Sequence, residues 1–276
     1  MRFIRLPALQ NVAPSSRASL RLPLGVTYEK IYLTLGTNIL STLISNIVLR
    51  INNKEFFRWN TWADYQAYLS YKGNATSATV LVFDFTERKA RDEVAVKLGT
   101  IAACAEAGVQ DMTLEFDLGA YTAVAASTIT AFADVEAPSA NSIIQRVQVM
   151  QKTIAAAAQE QIFIPFGLNG YQVKRLVIKH ANLSSVKVRR DGVDFYEDAS
   201  VALGGARSTD FGMTPQAGYH VVDFMPDVLQ SNAFNTAQVN VGGKAVPVQN
   251  LDVRVTTSAA DTLTIYTEAY ALNSQL

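Results

Sequence analysis

Short runs in which apolar and polar residues alternate recur along the chain, bounded by Gly, Pro, Asn and Asp, the pattern of half-buried β-strands. In "LRLPLG", Leu20 to Gly25, the leucines at 20, 22 and 24 share one face; 142 positions later, in "IFIPFG", Ile162, Ile164 and Phe166 do the same. Both runs end in Pro, one residue, Gly. Because Pro donates no ladder hydrogen bond, this ending predicts a strand that stops at a sheet rim.

The flanking segments repeat as well. "YEKIYLTLG" follows the first run and "YQVKRLVIKH" the second, setting Ile31 and Leu33 against Leu176 and Ile178. Next, "IVLRINNKEFF" and "VKVRRDGVDFY" align at an interval of 139, each predicting a hairpin. The turns fall at Asn52-Asn53 and Asp191-Gly192, residue types that accept a left-handed backbone. At the same interval "VFDF", Val82 to Phe85, falls on "VVDF", Val221 to Phe224. "MTLEFDL", Met112 to Leu118, resembles "TLTIYTEAY", Thr262 to Tyr270, at a larger interval, which predicts an insertion before the last strand of the second half. Between hairpin and next strand, Trp62, Tyr65 and Leu69 predict a short helix that stops near Gly73. Shared order, spacing and punctuation point to two homologous β domains in tandem.

The segment joining the halves is less decided. "AYTAVAASTITAFADVEA" reads as a helix or a long loop, and "SIIQRVQVMQKT" as a strand or a helix. With Ile144 to Lys152 closing the first domain, the expected division is 1–156, including an N-terminal arm, and 157–276.

Composition narrows the function. The 276 residues suit two domains of ordinary size, and 49% hydrophobic against 17% charged is apolar for a soluble monomer. No run reads as a membrane-crossing helix, so contacts between subunits are the expected destination of that surplus. Formal net charge is zero, which argues against a protein that wraps nucleic acid. The single cysteine, Cys104, excludes an intrachain disulfide, and "MRFIRLPALQ" lacks the apolar core of a secretory signal, so synthesis in a cytoplasm is expected.

Candidate chemistry is sparse. His180 and His220, the two histidines, belong to no metal-binding motif, and "GGK", Gly242 to Lys244, lacks the Ser or Thr of a phosphate loop. Asp191, Asp194, Glu197 and Asp198 cluster without the spacing of a calcium loop, and read as a solvated turn. Asp84 and Asp223 occupy equivalent positions and invite a paired-acid hydrolase reading, but a repeated structural role is simpler. "FFRWNTW", Phe56 to Trp62, is the best aromatic cluster for a carbohydrate- or receptor-binding module. No catalytic residue and no cofactor is expected, and a metal is neither implied nor excluded.

"NVAPSSRASLRLPLGVTYEKIYL", "GYQVKRLVIKHANLSSVKVRRDG" and "YHVVDFM" resemble the major capsid proteins of tailless, membrane-containing bacterial viruses, nearest to the corticovirus type. The resemblance implies an all-β fold of two tandem jelly rolls, each an eight-stranded antiparallel sandwich, with short helices in the connections. It further implies a homotrimer forming a pseudo-hexagonal capsomer in an icosahedral virion shell over an internal membrane. The partners would be other copies of the chain, neighbouring capsomers, vertex or membrane proteins and viral lipids, with no direct nucleic acid. It also places the N-terminal arm on the membrane side, where Arg2 and Arg5, beside Phe3 and Ile4, become candidate contacts to anionic headgroups. A jelly-roll receptor- or carbohydrate-binding spike module, or a double jelly-roll glycan hydrolase, is the alternative.

Overall fold

The computed structural model describes residues 1–165, 171–198 and 200–276. The first half contains β1 (Arg2–Arg5), β2 (Arg17–Arg21), β3 (Val26–Leu35), β4 (Ile44–Ile51), β5 (Lys54–Thr61), α1 (Trp62–Tyr71), β6 (Val80–Asp84), α2 (Glu93–Lys97), β7 (Ile101–Ala103), β8 (Met112–Leu118) and β9 (Ile129–Glu136). The second contains β10 (Ile143–Ile154), β11 (Ala158–Phe163), β12 (Gln172–Lys179), β13 (Leu183–Arg190), β14 (Val193–Asp198), α3 (Val201–Asp210), β15 (Tyr219–Asp223), β16 (Phe234–Asn235), β17 (Gln238–Val241), β18 (Lys244–Pro247), β19 (Leu251–Thr257) and β20 (Asp261–Leu272).

Strand order is the same in both halves. One layer runs β1-β9-β3-β6 in the first and β10-β20-β12-β15 in the second; the opposing layer runs β5-β4-β8-β2 and β14-β13-β19-β11. Each half is therefore an eight-stranded jelly roll with extra short strands. Where one face meets the core the alternation is clean: Met112, Leu114, Phe116 and Leu118 of β8 are buried and the residues between them are not.

The two hairpin turns match. Asn52 and Asn53 have φ of 51° and 63°, Asp191 and Gly192 of 50° and 82°, the left-handed pair that suits the twist of a two-residue hairpin. Asn52 Oδ1 accepts the backbone N–H groups of Gln110 and Asp111, and Asp191 Oδ1 accepts those of Gln249 and Asn250, again 139 residues apart. The helix recurs too. α1 is capped by Thr61 Oγ1, which accepts from Asp64 N–H, and α3 by Ser200 Oγ, which accepts from Leu203 N–H.

One alignment is corrected. Met112–Leu118 lies between β4 and β2, the place that β19, Leu251–Thr257, occupies between β13 and β11, whereas Thr262–Tyr270 lies in β20, the counterpart of β9. Alternation alone cannot tell neighbouring strands apart; the partner at the 139-residue interval is β19. No insertion precedes the last strand; the final connection is shorter in the second half, 258–260 against 119–128. The ambiguous joining segments are strands β9 and β10. β10 pairs with β20 along its whole length, Ile143↔Leu272 to Ile154↔Asp261, and pairs with β5 of the first half through a parallel bridge, Val147↔Phe57. That bridge merges layers of both halves into one nine-stranded sheet. In "IFIPFG" Ile162 and Ile164 are buried and Phe163 is exposed, as alternation requires; Phe166 and Gly167 lie outside the described residues.

Candidate functional site

The largest concentration of buried charge lies where the two jelly rolls meet. α1 closes the open side of the first sandwich with Trp62 and Tyr65, whose rings lie 5.6 and 5.7 Å from Phe83, and faces the second sandwich through Tyr68 and Asp64. Trp59 of β5 stacks on Tyr266 of β20 with centroids 4.3 Å apart. On the second half, Arg175↔Glu268, Val177↔Tyr266 and Lys179↔Thr264 are cross-strand pairs, and so share the face turned to the first half. A bulge between Val173 and Arg175 adds one residue, so the consecutive Lys174 and Arg175 both reach Glu268.

The resulting network holds three cations against three carboxylates. Arg175 donates from Nε to Asp223 Oδ2 at 2.8 Å, and from Nη1 to Glu87 at 2.9 Å and Glu268 at 3.3 Å. Lys174 Nζ lies 3.0 Å from Glu268 and also bonds Glu87, which Lys72 approaches at 3.8 Å. Tyr68 donates its hydroxyl proton to Glu268, and Gln145 Nε2 donates to the same carboxylate at 2.5 Å. Lys72 and Glu87 come from the first half and Lys174, Arg175, Asp223 and Glu268 from the second, so this is a neutral ionic bolt across the junction. A second anchor stands beside it: Asp64 accepts from Lys179, Tyr219 and Tyr266, each at 2.6 Å.

Burial pushes the Glu87 and Glu268 carboxyls up, but Arg175 and Lys174 outweigh it and hold Glu87 well below, and Glu268 below, the ordinary carboxylate value. The stability these two contribute is complete above the unfolded value of 4.5 and is lost as pH falls below it. Urea midpoints are therefore expected to hold from pH 7 to 5 and to fall below about pH 4.5. Trp59 stacks on Tyr266 across the junction, so its fluorescence reports the opening of that contact. Glu268→Gln should flatten the fall, and an unchanged slope would contradict the assignment.

The repeated aspartates have the repeated structural role. Asp84 lies 3.8 Å from Lys30 and Asp223 bonds Arg175, its register partner as Lys30 is that of Asp84. Each also accepts the backbone N–H two residues on, from Thr86 and Met225. They are structural anchors of separate sandwiches. Phe56, Phe57, Trp59 and Trp62 are buried, so "FFRWNTW" offers no aromatic platform. In the acidic cluster Asp194 pairs with Lys187 and Arg189, and Glu197 with Lys187; among the described residues no group of three or more His, Cys, Asp or Glu is placed to hold a metal. Gly242, with φ of 57°, and Gly243, with φ of 77°, form the turn between β17 and β18. Cys104 is buried in the core.

The N-terminal arm is strand β1, paired with β9 from Arg2↔Val135 to Arg5↔Phe132. Arg2 and Arg5 are both exposed but, three residues apart, point to opposite faces. Phe3 shares the face of Arg5 and stacks on Phe132 at 5.3 Å. Arg17 and Arg21 are outward residues of β2, neutralised by Glu115 and Asp117 and by Asp111.

Comparison with known proteins places this architecture. Residues 3–136 match the model of the viral coat protein P2 N-terminal domain, and residues 144–273 that of the P2 C-terminal domain. The chain belongs to the viral coat protein P2 family. It is 23% identical over 233 residues to the major capsid protein P2 of Pseudoalteromonas phage PM2, covering 83% of this chain and 85% of that one. The crystal structure of P2 from bacteriophage PM2 superposes with a TM-score of 0.83 at 18% identity, over 98% of this chain and 97% of the other. The major capsid protein of Sulfolobus Turreted Icosahedral Virus matches with a TM-score of 0.66 at 12% identity, over 98% and 96%. These likenesses corroborate the double jelly roll.

Proposed function

We propose that this coat protein is the major capsid protein of a PM2-like virus, a non-enzymatic shell component made in the host cytoplasm, and that three copies form a pseudo-hexagonal capsomer over an internal membrane. The carrying observation is the contact within one chain. The outer strand of the first jelly roll, β5, meets β10, the first strand of the second. By the repeat, the counterparts of these edges are β14 and β1. If β14 of one copy meets β1 of the next as β5 meets β10, a head-to-tail interface repeats around the ring and closes after three chains and six sandwiches. The division of the chain best suited to this plan falls in the connection 137–142, with β10 as the first strand of the second jelly roll.

Static light scattering and electron microscopy of the purified chain test the proposal: trimers and six-lobed tiles are expected. A protein that stays monomeric at high concentration would sink it.

Contacts with vertex proteins, membrane proteins and lipids belong to the same proposal, with Arg2 and Arg5 as the lipid-facing charges and no direct role for nucleic acid. Each arginine near an anionic surface contributes about 1 kcal/mol, screened by salt. Replacing both by Gln leaves the β1 backbone pairing in place, so trimers should persist while co-sedimentation with anionic vesicles weakens, most at low salt. Equal binding by parent and variant across a salt titration would remove these residues from the membrane contact.

A further inference from the structure

The first half contributes three charged side chains to the junction between the jelly rolls: Asp64 of α1, Lys72 at the C-terminal cap of that helix, and Glu87. At the 139-residue interval their counterparts in the second half are Leu203, Phe211 and Pro226. Local features fix the correspondence: Thr61 and Ser200 cap the two helices, and Asp84 and Asp223 each accept the backbone N–H two residues on. All three charges have become apolar. Asp64 and Lys72 are buried, whereas Leu203 is 54% and Phe211 41% exposed, so α3 and its cap show to solvent the face that α1 buries.

The receiving side has changed with it. In the second half Asp64 is met by three hydrogen-bond donors, Lys179, Tyr219 and Tyr266. Register carries these positions to the first half, because Arg175↔Asp223 and Arg175↔Glu268 match Lys30↔Asp84 and Lys30↔Asp134, with a bulge just before Arg175 and before Lys30. Further along the same strands Lys179↔Tyr219 matches Thr34↔Val80, and Val177↔Tyr266 matches Tyr32↔Phe132. Thr34, Val80 and Phe132 therefore stand where the three donors stand. They lie on the outer face: Thr34 is exposed and Val80 and Phe132 are half-buried, while their neighbours Leu33, Leu81 and Ala131 are buried. The charged residues of this face are satisfied within the first jelly roll, Lys30 lying 3.8 Å from Asp84 and Asp134 accepting from Tyr32 at 2.6 Å.

We propose that α3 is the element by which this chain docks on a second copy: Leu203 and Phe211 pack on the outer face of the other copy's first jelly roll, with Leu203 against Thr34, Val80 and Phe132. This contact rests on the head-to-tail ring proposed above and adds the pairs that decide its partner. α1 set against Val80 and Phe132 would bury Asp64 and Lys72 without partners. α3 set against a second jelly roll would leave Lys179 and the Tyr219 and Tyr266 hydroxyls unpaired. Each mismatch carries the penalty of a buried, unsatisfied polar group, and specificity arises from such penalties as much as from good contacts. A second jelly roll thus selects α1, a first selects α3, and like jelly rolls do not pair. Arg207, at the place of Tyr68, brings a cation to the side where Asp134 takes the place of Glu268, so the charge that α3 carries meets one of opposite sign.

Chemical cross-linking of the full chain tests this. Leu203→Cys and Thr34→Cys, both at exposed positions, are combined in one chain and treated with a short bismaleimide; the native Cys104 is buried. Covalent species of two and three chains are expected in denaturing electrophoresis, and none from either single variant. A ladder extending past three chains would uphold the α3 contact and refute the closed ring. Trimers in light scattering that do not cross-link would overturn the α3 contact and spare the ring, and monomers that do not cross-link would overturn both. A cross-link from Leu203→Cys alone would mean that like meets like, against the proposal. Independently, Leu203→Asp should weaken self-association at least about tenfold, as loss of a central interface residue does, while Leu203→Met leaves it in place. Unchanged association of a folded Leu203→Asp chain would overturn the assignment of α3.

Discussion

Replacement of Arg175 by Met is expected to destabilise the folded chain by about 3–5 kcal/mol, the cost of breaking a buried charge network from one side. Arg175 is fully buried, and its guanidinium serves Asp223, Glu87, Glu268 and the Tyr68 hydroxyl. Methionine fills similar space but leaves three carboxylates facing two lysines, so the loss is uncompensated negative charge in a site that water does not reach. Removing the charge symmetrically should cost less. The double variant Arg175→Met, Asp223→Leu is expected to recover part of the loss, because apolar groups of similar volume replace a buried pair at little net cost. Urea unfolding of both variants and the parent, followed by tryptophan fluorescence and circular dichroism, measures the difference. A loss under about 1 kcal/mol for the single variant would place Arg175 in the range of an exposed pair and contradict the network.

The parts of this architecture that were legible in the sequence are those set by local rules. Turn residues demand particular backbone angles, so Asn52-Asn53 and Asp191-Gly192 marked both hairpins, and the repeat interval carried the comparison through β4, β5 and β6 to their counterparts. The misaligned β8 shows the limit: period-two patterning identifies a strand, whereas its neighbours in the sheet depend on long-range pairing. The helix α3 was missed for a related reason. Its Gly204, Gly205 and Ser208 weaken the helical pattern, and its position follows from the cap at Ser200 and from α1 in the other copy. The ionic junction was invisible, since Lys72, Glu87 and Glu268 lie far apart in sequence. One signal was available. "QVKRLVIK" places two adjacent cations inside an apolar strand, and a strand covered on both faces must find them partners.

If the chain forms the proposed trimer, replacing Phe195 by Asp is expected to abolish it at concentrations where the parent is assembled. Phe195 of β14 is the repeat counterpart of Phe56 of β5; Phe56 is 1% exposed, in the strand that meets β10, whereas Phe195 remains 47% exposed. The same edge carries Val193, exposed by 60%. Such a hydrophobic edge strand invites a partner, and in a ring closed by repetition of the β5–β10 contact the partner is β1 of the next copy. A central interface residue contributes about 2 kcal/mol or more. Three identical interfaces make that about 6 kcal/mol, roughly four orders of magnitude in the trimer association constant. Because Phe195 also packs edge-on against Phe234 at 5.0 Å, circular dichroism must show a folded monomer. Val193→Asp, at an aliphatic position of the same strand, provides the independent second variant. Light scattering that finds both variants as stable trimers would move the subunit interface away from β14 and with it the proposed closure of the ring.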